Sequence, residues 1–102
     1  MKPLEVEEDA ERELGESAIY YERQRPRLGL EFEAAIREAL NTIREAPERS
    51  PLRKDGTRRH LMRRFPFIIH YVIMPDHIWI VAFAHASRKP GYWQSRIRED
   101  HT

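Results

Sequence analysis

Two clusters of basic and aromatic side chains flank the most apolar stretch of this 102-residue sequence, which runs from Phe65 to Ala84. Arginine, lysine, histidine and tyrosine can offset the charge of a phosphate or transfer a proton, as a metal-free ribonuclease requires. If this stretch folds into two strands that lie side by side, both clusters border one shallow groove. The first cluster is Lys54, Arg58, Arg59, His60, Arg63 and Arg64, and the second is His85, Arg88, Lys89, Tyr92 and Trp93.

Several of these side chains allow two interpretations. His85 could act as a neutral base while Arg88, three residues later, binds phosphate; His85 could equally cap the end of a strand by bonding the backbone. Tyr92 and Trp93 could stack on the bases of single-stranded RNA or pack on the core, and we favour packing for Trp93. His70 lies within the apolar stretch, which predicts a core histidine with hydrogen-bond partners.

The charges are unevenly distributed, although the formal net charge is only +1. The residues up to Glu48 include 13 acids and 7 bases, a net charge of −6, and the rest include 4 acids and 11 bases, a net charge of +7. A basic face built from one half of the chain suits an anionic partner, either nucleic acid or an acidic protein segment. The alternative is that the two halves neutralise each other across the fold.

Several classes of function find no support in the sequence. There is no cysteine, no Gly-rich phosphate loop, no Ser-His-Asp order and no histidine pair spaced for a helical metal site, so we expect no metal, cofactor or small-molecule substrate. Apolar runs fall short of the roughly 18 residues that a membrane span needs, and the N-terminus lacks the apolar core of a signal peptide. We expect a cytoplasmic protein without a membrane partner.

Residue spacing predicts an α+β fold in a single domain, residues 1–102, because one sheet face and two helix stripes must cover each other. We expect a short strand from Pro3 to Glu7, a helix from Asp9, a second helix from about Leu30 to Ala46, and a loop up to Gly56. The helices should form an antiparallel hairpin packed on a twisted antiparallel sheet. The predicted buried residues are Leu14, Ala18, Phe32, Ile36, Leu40, Ile69, Tyr71 and Ile80.

Alternating β-branched and aromatic residues predict two central strands joined by a turn at Pro75 and Asp76. Alternation puts Phe67, Ile69, Tyr71 and Ile73 on one face of the first strand. In the second strand it puts Trp79, Val81 and Phe83 on one face and Ile78, Ile80 and Ala82 on the other. The tail from Ser87 has no clear period, and we expect it to form a basic loop followed by a frayed helical turn.

Four strings, in this order and spacing, resemble the RelE/ParE toxins of bacterial type II toxin-antitoxin systems, which include plasmid-stabilisation systems. They are AERELGESAIYY, LGLEFEAAI with its continuation to IREAP, RRFPFIIHYVI, and HASRKPGYW. The resemblance implies a growth-inhibiting toxin that is neutralised by a cognate antitoxin, whose helix and extended segment wrap its surface. RelE-like members cut messenger RNA in the ribosome, whereas ParE-like members poison DNA gyrase without a nuclease site.

One departure from the family pattern bears on the target. RelE-like nucleases place an arginine where this chain has Ile68, and Arg63 or Arg64 would have to supply the charge. Binding of a protein target such as gyrase is therefore slightly favoured, with Lys54, Arg58, Arg59, Arg63, Arg64, Lys89 and Trp93 as target-binding or RNA-binding residues. The alternatives are a metal-independent, ribosome-dependent endoribonuclease that uses His85, Arg88 and Tyr92 as catalytic residues, or a non-toxic relative that only binds an antitoxin.

Overall fold

The computed structural model describes the backbone of residues 1–100 and the side chains of residues 1–97. The elements are β1 (Leu4–Val6), α1 (Glu8–Gln24), α2 (Leu28–Glu45), β2 (Arg58–Leu61), β3 (Phe67–Ile73), β4 (Ile78–His85) and α3 (Gln94–Asp100). The four strands form one sheet in the order β1-β4-β3-β2, in which β1 is parallel to β4 and the other neighbours are antiparallel. The expected antiparallel sheet is therefore found, with a parallel strand added at one edge.

The helix hairpin is closed by a glutamate of the first helix. Glu22 accepts hydrogen bonds from the backbone N–H groups of Arg27 (2.9 Å) and Gly29 (3.0 Å), so α1 caps the N-terminus of α2. Gly29 permits this close approach, because a Cβ atom there would lie 2.6 Å from the carbonyl oxygen of Ala18. Arg27 turns the chain with a φ of 74°. The helices lie where the periodicity predicts them, with α2 starting two residues earlier.

The main core lies between this hairpin and the sheet. Phe32, Ile36, Ile69, Tyr71 and Ile80 are all buried, as predicted. The Tyr71 hydroxyl donates to the carbonyl of Pro47 at 2.7 Å, so the polar atom of this buried ring is satisfied. The other three predicted core residues are only partly buried at the edge of this cluster, and they are Leu14, Ala18 and Leu40.

A β-bulge at Val81 reverses the faces of β4. His70 pairs with Ala82 and Tyr71 pairs with Ile80, which leaves Val81 as an extra residue in the ladder. Phe83 consequently joins Ile78 and Ile80 in the core on the helix side, whereas Val81 and Ala82 both belong to the cluster on the outer face. The predicted grouping of Phe83 with Trp79 and Val81 was wrong, and so was that of Ala82 with Ile78 and Ile80, because strict alternation does not survive a bulge.

The outer face of the sheet is covered by a short segment, residues 91–97, which we call the arm. Trp93 of the arm packs with Trp79, Val81 and Ala82 and is 4% exposed, and Ile97 packs against the same cluster. The predicted helical turn is present as α3. None of the described helices has the length and apolarity needed to cross a membrane.

Candidate functional site: a basic groove on the outer face

A depression of about 310 Å³ lies on the outer face, where the ends of β2, β3 and β4 meet the chain before and within the arm. Four cationic side chains line it, Arg53, Arg59, Arg88 and Lys89, over a floor that includes Ile68 and Ala84. We call this depression the basic groove. Arg59 reaches it because it pairs with His70 across the β2–β3 ladder, and paired residues share a face.

The second predicted cluster meets at this groove, but most of the first cluster does not. His85, Arg88, Lys89, Tyr92 and Trp93 all border the groove, together with Arg59 from the first cluster. Lys54 lies in a neighbouring depression beside Leu52. Arg58 donates to the carbonyl of Ser50 at 2.7 Å. His60, Arg63 and Arg64 lie on the opposite side, between β2 and α2.

The positive charge beside Ile68 comes from Arg53 and Arg59, and not from Arg63 or Arg64. Arg64 binds Glu31 of α2 and lies over the ring of Phe65 at 5.1 Å, so it is held on the helix side of the sheet. Arg63 lies with it between β2 and α2. Neither arginine lies where it could replace the one missing at Ile68, and Arg53 and Arg59 are the arginines that precede β3 and line the groove. Sequence reasoning missed Arg53 because it lies in a loop without a period.

The hydrogen bonds of His85 fix its proton. Its Nδ1 accepts from the backbone N–H of Ser87 at 3.0 Å, and the Ser87 hydroxyl lies 2.7 Å from the same atom. A backbone N–H can only donate, so the neutral imidazole carries its proton on Nε2. The ring thus caps the end of β4 and presents a donor at its other nitrogen. To act as a base through Nδ1, His85 would have to break its hydrogen bonds with Ser87.

His70 is buried as predicted, but it is not satisfied. It is 8% exposed, stacks on Trp93 at 4.3 Å between ring centroids, and its Nδ1 has no hydrogen-bond partner among the described residues. Burial lowers the pKa of His70 to about 4, and the nearby charges of Arg53 and Arg59 act in the same direction. The imidazole is therefore neutral at neutral pH, and the expected set of partners was wrong.

Tyr92 is tied to a carboxylate that the sequence did not single out. The Tyr92 hydroxyl donates to Glu13 of α1 in a short hydrogen bond, and both terminal nitrogens of Arg96 bind the same carboxylate at 3.0 Å. Burial raises the pKa of Tyr92, and the hydrogen bond to Glu13 raises it further. The guanidinium of Arg88 lies 4.0 Å from the centroid of the Tyr92 ring.

The position of Glu13 follows from the sheet topology. Strand β1 ends at Val6, opposite Ile80, so the rest of β4 has no strand neighbour on that side. Glu13 accepts from the Phe83 N–H at 3.2 Å, and Arg96 donates to the Val81 carbonyl at 2.9 Å, which satisfies this open edge. The only sequence signal is weak, since Glu13 borders the apolar stripe that Ala10 and Leu14 mark on α1.

His85 and Arg88 also border a second depression, of about 340 Å³, on the helix side. The rings of Tyr20, Tyr21 and Phe67 line it. His85 reaches this side because the bulge turns it toward Phe67, whose ring lies 5.2 Å away in an edge contact. These two side chains therefore form a ridge between a basic groove and an aromatic depression, and such a ridge can present charge and apolar surface to one partner.

A helix hairpin on a mixed sheet of four strands, with a basic groove at the end of the central strands, defines a RelE/ParE-like toxin fold. The family model described as the ParE toxin of the type II toxin-antitoxin system parDE matches residues 4–90, and the chain belongs to this family. Membership implies an antitoxin partner. A search of curated proteins found no match. The family match ends before Tyr92, Trp93 and Arg96, so the arm lies beyond it.

Proposed function

We propose that this toxin inhibits growth by binding a protein target through the basic groove, as ParE-like toxins bind DNA gyrase, and that it does not cut RNA. One observation carries the proposal: the groove collects cations, but its candidate proton-transfer groups are already engaged. The Tyr92 hydroxyl donates to Glu13, His85 accepts from Ser87, and Trp93 covers His70. RNA cleavage needs a free base and a free acid beside the phosphate.

The floor of the groove supports the same proposal. Ile68 lies there, where the RelE-like nucleases place an arginine, and Ala84 pairs with it across the β3–β4 ladder. An apolar floor ringed by Arg53, Arg59 and Arg88 suits a protein segment that combines an acidic and an apolar side chain. Arginine is also the charged residue most often found among the dominant contacts of protein interfaces.

The antitoxin should cover this surface in the inactive complex. Because the second half of the chain carries a net charge of +7, an acidic and apolar antitoxin segment would complement both the groove and the ridge of His85 and Arg88. Co-expression with the neighbouring reading frame and a pull-down test this part. A chain that stays monomeric and harmless without a partner would contradict it.

The target is tested by inducing the protein in bacterial cells and following the incorporation of labelled thymidine and methionine. We expect DNA synthesis to stop first, purified protein to inhibit supercoiling by gyrase, and ribosome-bound messenger RNA to remain intact. Early arrest of translation with cleaved messenger RNA would instead establish the ribonuclease alternative. A lack of growth arrest, with retained binding of an antitoxin, would show a non-toxic relative.

The groove is tested with charge-matched variants. Arg88→Ala and Arg59→Ala should each raise the protein concentration needed for half-inhibition of gyrase by about tenfold, and His85→Ala should have a smaller effect. Arg63→Ala is the control, because Arg63 is an exposed arginine on the other side of β2. Equal effects of Arg63→Ala and Arg88→Ala would mean that net charge, and not the groove, determines binding.

A further inference from the structure

We propose that Glu13 is the positioning residue of the groove, acting through Tyr92 to hold the Arg88 guanidinium in place. Glu13 lies on α1 and the other two residues lie after β4, so the contact joins parts of the chain that are 79 residues apart. The inference deepens the proposed function, on which it rests for the role of Arg88 in binding.

The contacts of Glu13 use both of its oxygens. Oε1 accepts from the Phe83 N–H and from Arg96, and Oε2 accepts from the Tyr92 hydroxyl and from Arg96. The side chains of Glu13 and Arg96 are only 15% and 13% exposed. A carboxylate held by a bidentate arginine and a backbone donor has little rotational freedom, and its acceptor for Tyr92 is therefore fixed in space.

Tyr92 contacts Arg88 through its aromatic ring, on which the charged guanidinium stacks. The Arg88 guanidinium lies 4.0 Å from the ring centroid, within the range of a cation–π contact. Arg88 itself is exposed, and the chain around it from Ala86 to Pro90 is exposed as well. The ring of Tyr92 is thus a surface that orients Arg88. The hydrogen bond of the Tyr92 hydroxyl to Glu13 fixes the polar end of this ring, whose apolar part packs against the outer cluster.

A positioning role differs from a merely stabilising role in one measurable way. A guanidinium that lies over an aromatic ring has its Nε–H proton shifted upfield by the ring current. Nuclear magnetic resonance spectra of the arginine Nε–H groups can therefore report the Arg88–Tyr92 stack directly, and the signal is assigned by its disappearance in Arg88→Ala.

The main variant is Glu13→Gln, which keeps the size of the side chain and removes its charge. We expect the upfield shift of the Arg88 Nε–H to be lost and half-inhibition of gyrase to need about tenfold more protein. Tyr92→Phe removes only the hydroxyl, and it should lose most of the same shift even if Glu13→Gln folds poorly. An unchanged Arg88 signal in both folded variants would overturn the proposal, whatever the toxicity.

Two controls separate positioning from charge and from stability. Glu11→Gln makes the same charge change on the exposed side of α1 and should alter neither the signal nor the inhibition. Gly29→Ala destabilises the helix hairpin away from the groove, where its Cβ meets the Ala18 carbonyl, and it should leave the Arg88 signal in place. Loss of the signal in Gly29→Ala would reduce the role of Glu13 to general stability.

A double variant decides whether Glu13 acts through Arg88. If it does, Glu13→Gln combined with Arg88→Ala should inhibit gyrase no less than Arg88→Ala alone, because the effects of coupled residues do not add. Additive losses would contradict the proposal. If Arg88→Ala has no effect on gyrase or on growth while the spectrum changes as expected, the proposed function fails and the positioning contact stands.

Discussion

The helix side of the sheet is covered by two long helices, whereas the outer face is covered by the arm of residues 91–97. On the helix side, Phe32 and Ile69 are fully buried and the Tyr71 hydroxyl has its partner. On the outer face, the His70 Nδ1 lacks a hydrogen-bond partner among the described residues. The aromatic ring that stacks on His70 is that of Trp93. The face with this unsatisfied buried histidine is also the face with the basic groove.

This difference indicates which face of the sheet is available to bind a partner. A continuous core covered by two long helices supplies stability, whereas a face covered by one short segment opens locally at a lower free-energy cost. We therefore expect substitutions on the helix side to act on folding, and substitutions on the outer face to act mainly on binding.

The largest effect should follow from opening the core on the helix side. Phe32→Ala removes a ring that packs against Tyr21, Phe65 and Phe67, and it should lower the free energy of unfolding by about 3–5 kcal/mol. Urea denaturation followed by circular dichroism measures it. Leu30→Ala in the same helix is the control, since Leu30 is 65% exposed and should change stability by less than about 0.5 kcal/mol. A small decrease in the unfolding free energy of Phe32→Ala would show that the helix side is packed no more tightly than the outer face.

The second effect is a pH dependence on the outer face. The folded-state pKa of His70 is about 4, below the ordinary value of 6.5. Between pH 6.5 and pH 4, the His70 side chain therefore binds a proton in the unfolded chain but stays neutral in the folded chain. Stability from His70 is therefore present above pH 6.5 and is lost as pH falls toward 4, by on the order of 3 kcal/mol at most.

The His70 effect is measured as the difference in unfolding free energy between the wild type and His70→Phe, followed from pH 7.5 to 4. Other carboxylates and histidines titrate in both proteins and cancel in this difference. We expect the wild type to lose stability relative to the variant as pH falls. A difference that stays constant with pH would mean that His70 is reached by solvent and titrates normally.

The third effect separates the two faces most directly. Trp93→Ala uncovers His70 and removes the largest side chain of the arm, and we expect the arm to open while the sheet stays folded. We expect a loss of only about 1–2 kcal/mol in global stability, together with faster hydrogen exchange confined to residues 91–97. A loss as large as that of Phe32→Ala would make the outer cluster part of one continuous core.

The smallest effect should be a gain of stability in the helix hairpin. Arg27 has a φ of 74°, which costs a residue with a Cβ more than it costs glycine, so Arg27→Gly should stabilise the fold by about 0.5–1 kcal/mol. Arg25→Gly is the control, because Arg25 has an extended backbone and should gain nothing. Thermal unfolding measures both, and a destabilised Arg27→Gly would show that the Arg27 side chain contributes more than its strain costs.

Local patterns predicted the elements well, because each long helix buries one periodic face and the central strands are rich in β-branched and aromatic residues. Both helices, the β3–β4 hairpin and most of the core follow from spacing alone. The bulge at Val81 could not be predicted, since nothing in IWIVAFAH marks which residue is the extra one. That single residue decides that His85 lies on the side of Phe67 and not on the side of His70.

The site was predicted in part, for a related reason. Residues close together after β4 stay close in space, so His85, Arg88, Lys89 and Tyr92 were found as a group. Alternation along β2 then divided the first cluster, with Arg59 on the groove side and Arg58 turned away. Glu13 and Arg96 were missed because they meet only through the tertiary fold and belong to no common motif.

The pairing of Glu13 with Arg96 has a consequence for the order in which the protein becomes active during synthesis. The two residues are 83 positions apart, and residues 92 to 96 must emerge from the ribosome before Glu13 can be bound. The acidic helix hairpin has mostly local contacts and can form first, whereas the groove is completed late. Under the proposed role of Glu13, a nascent chain that already carries its helices still lacks a fixed Arg88, and we expect an antitoxin to be able to bind at this stage.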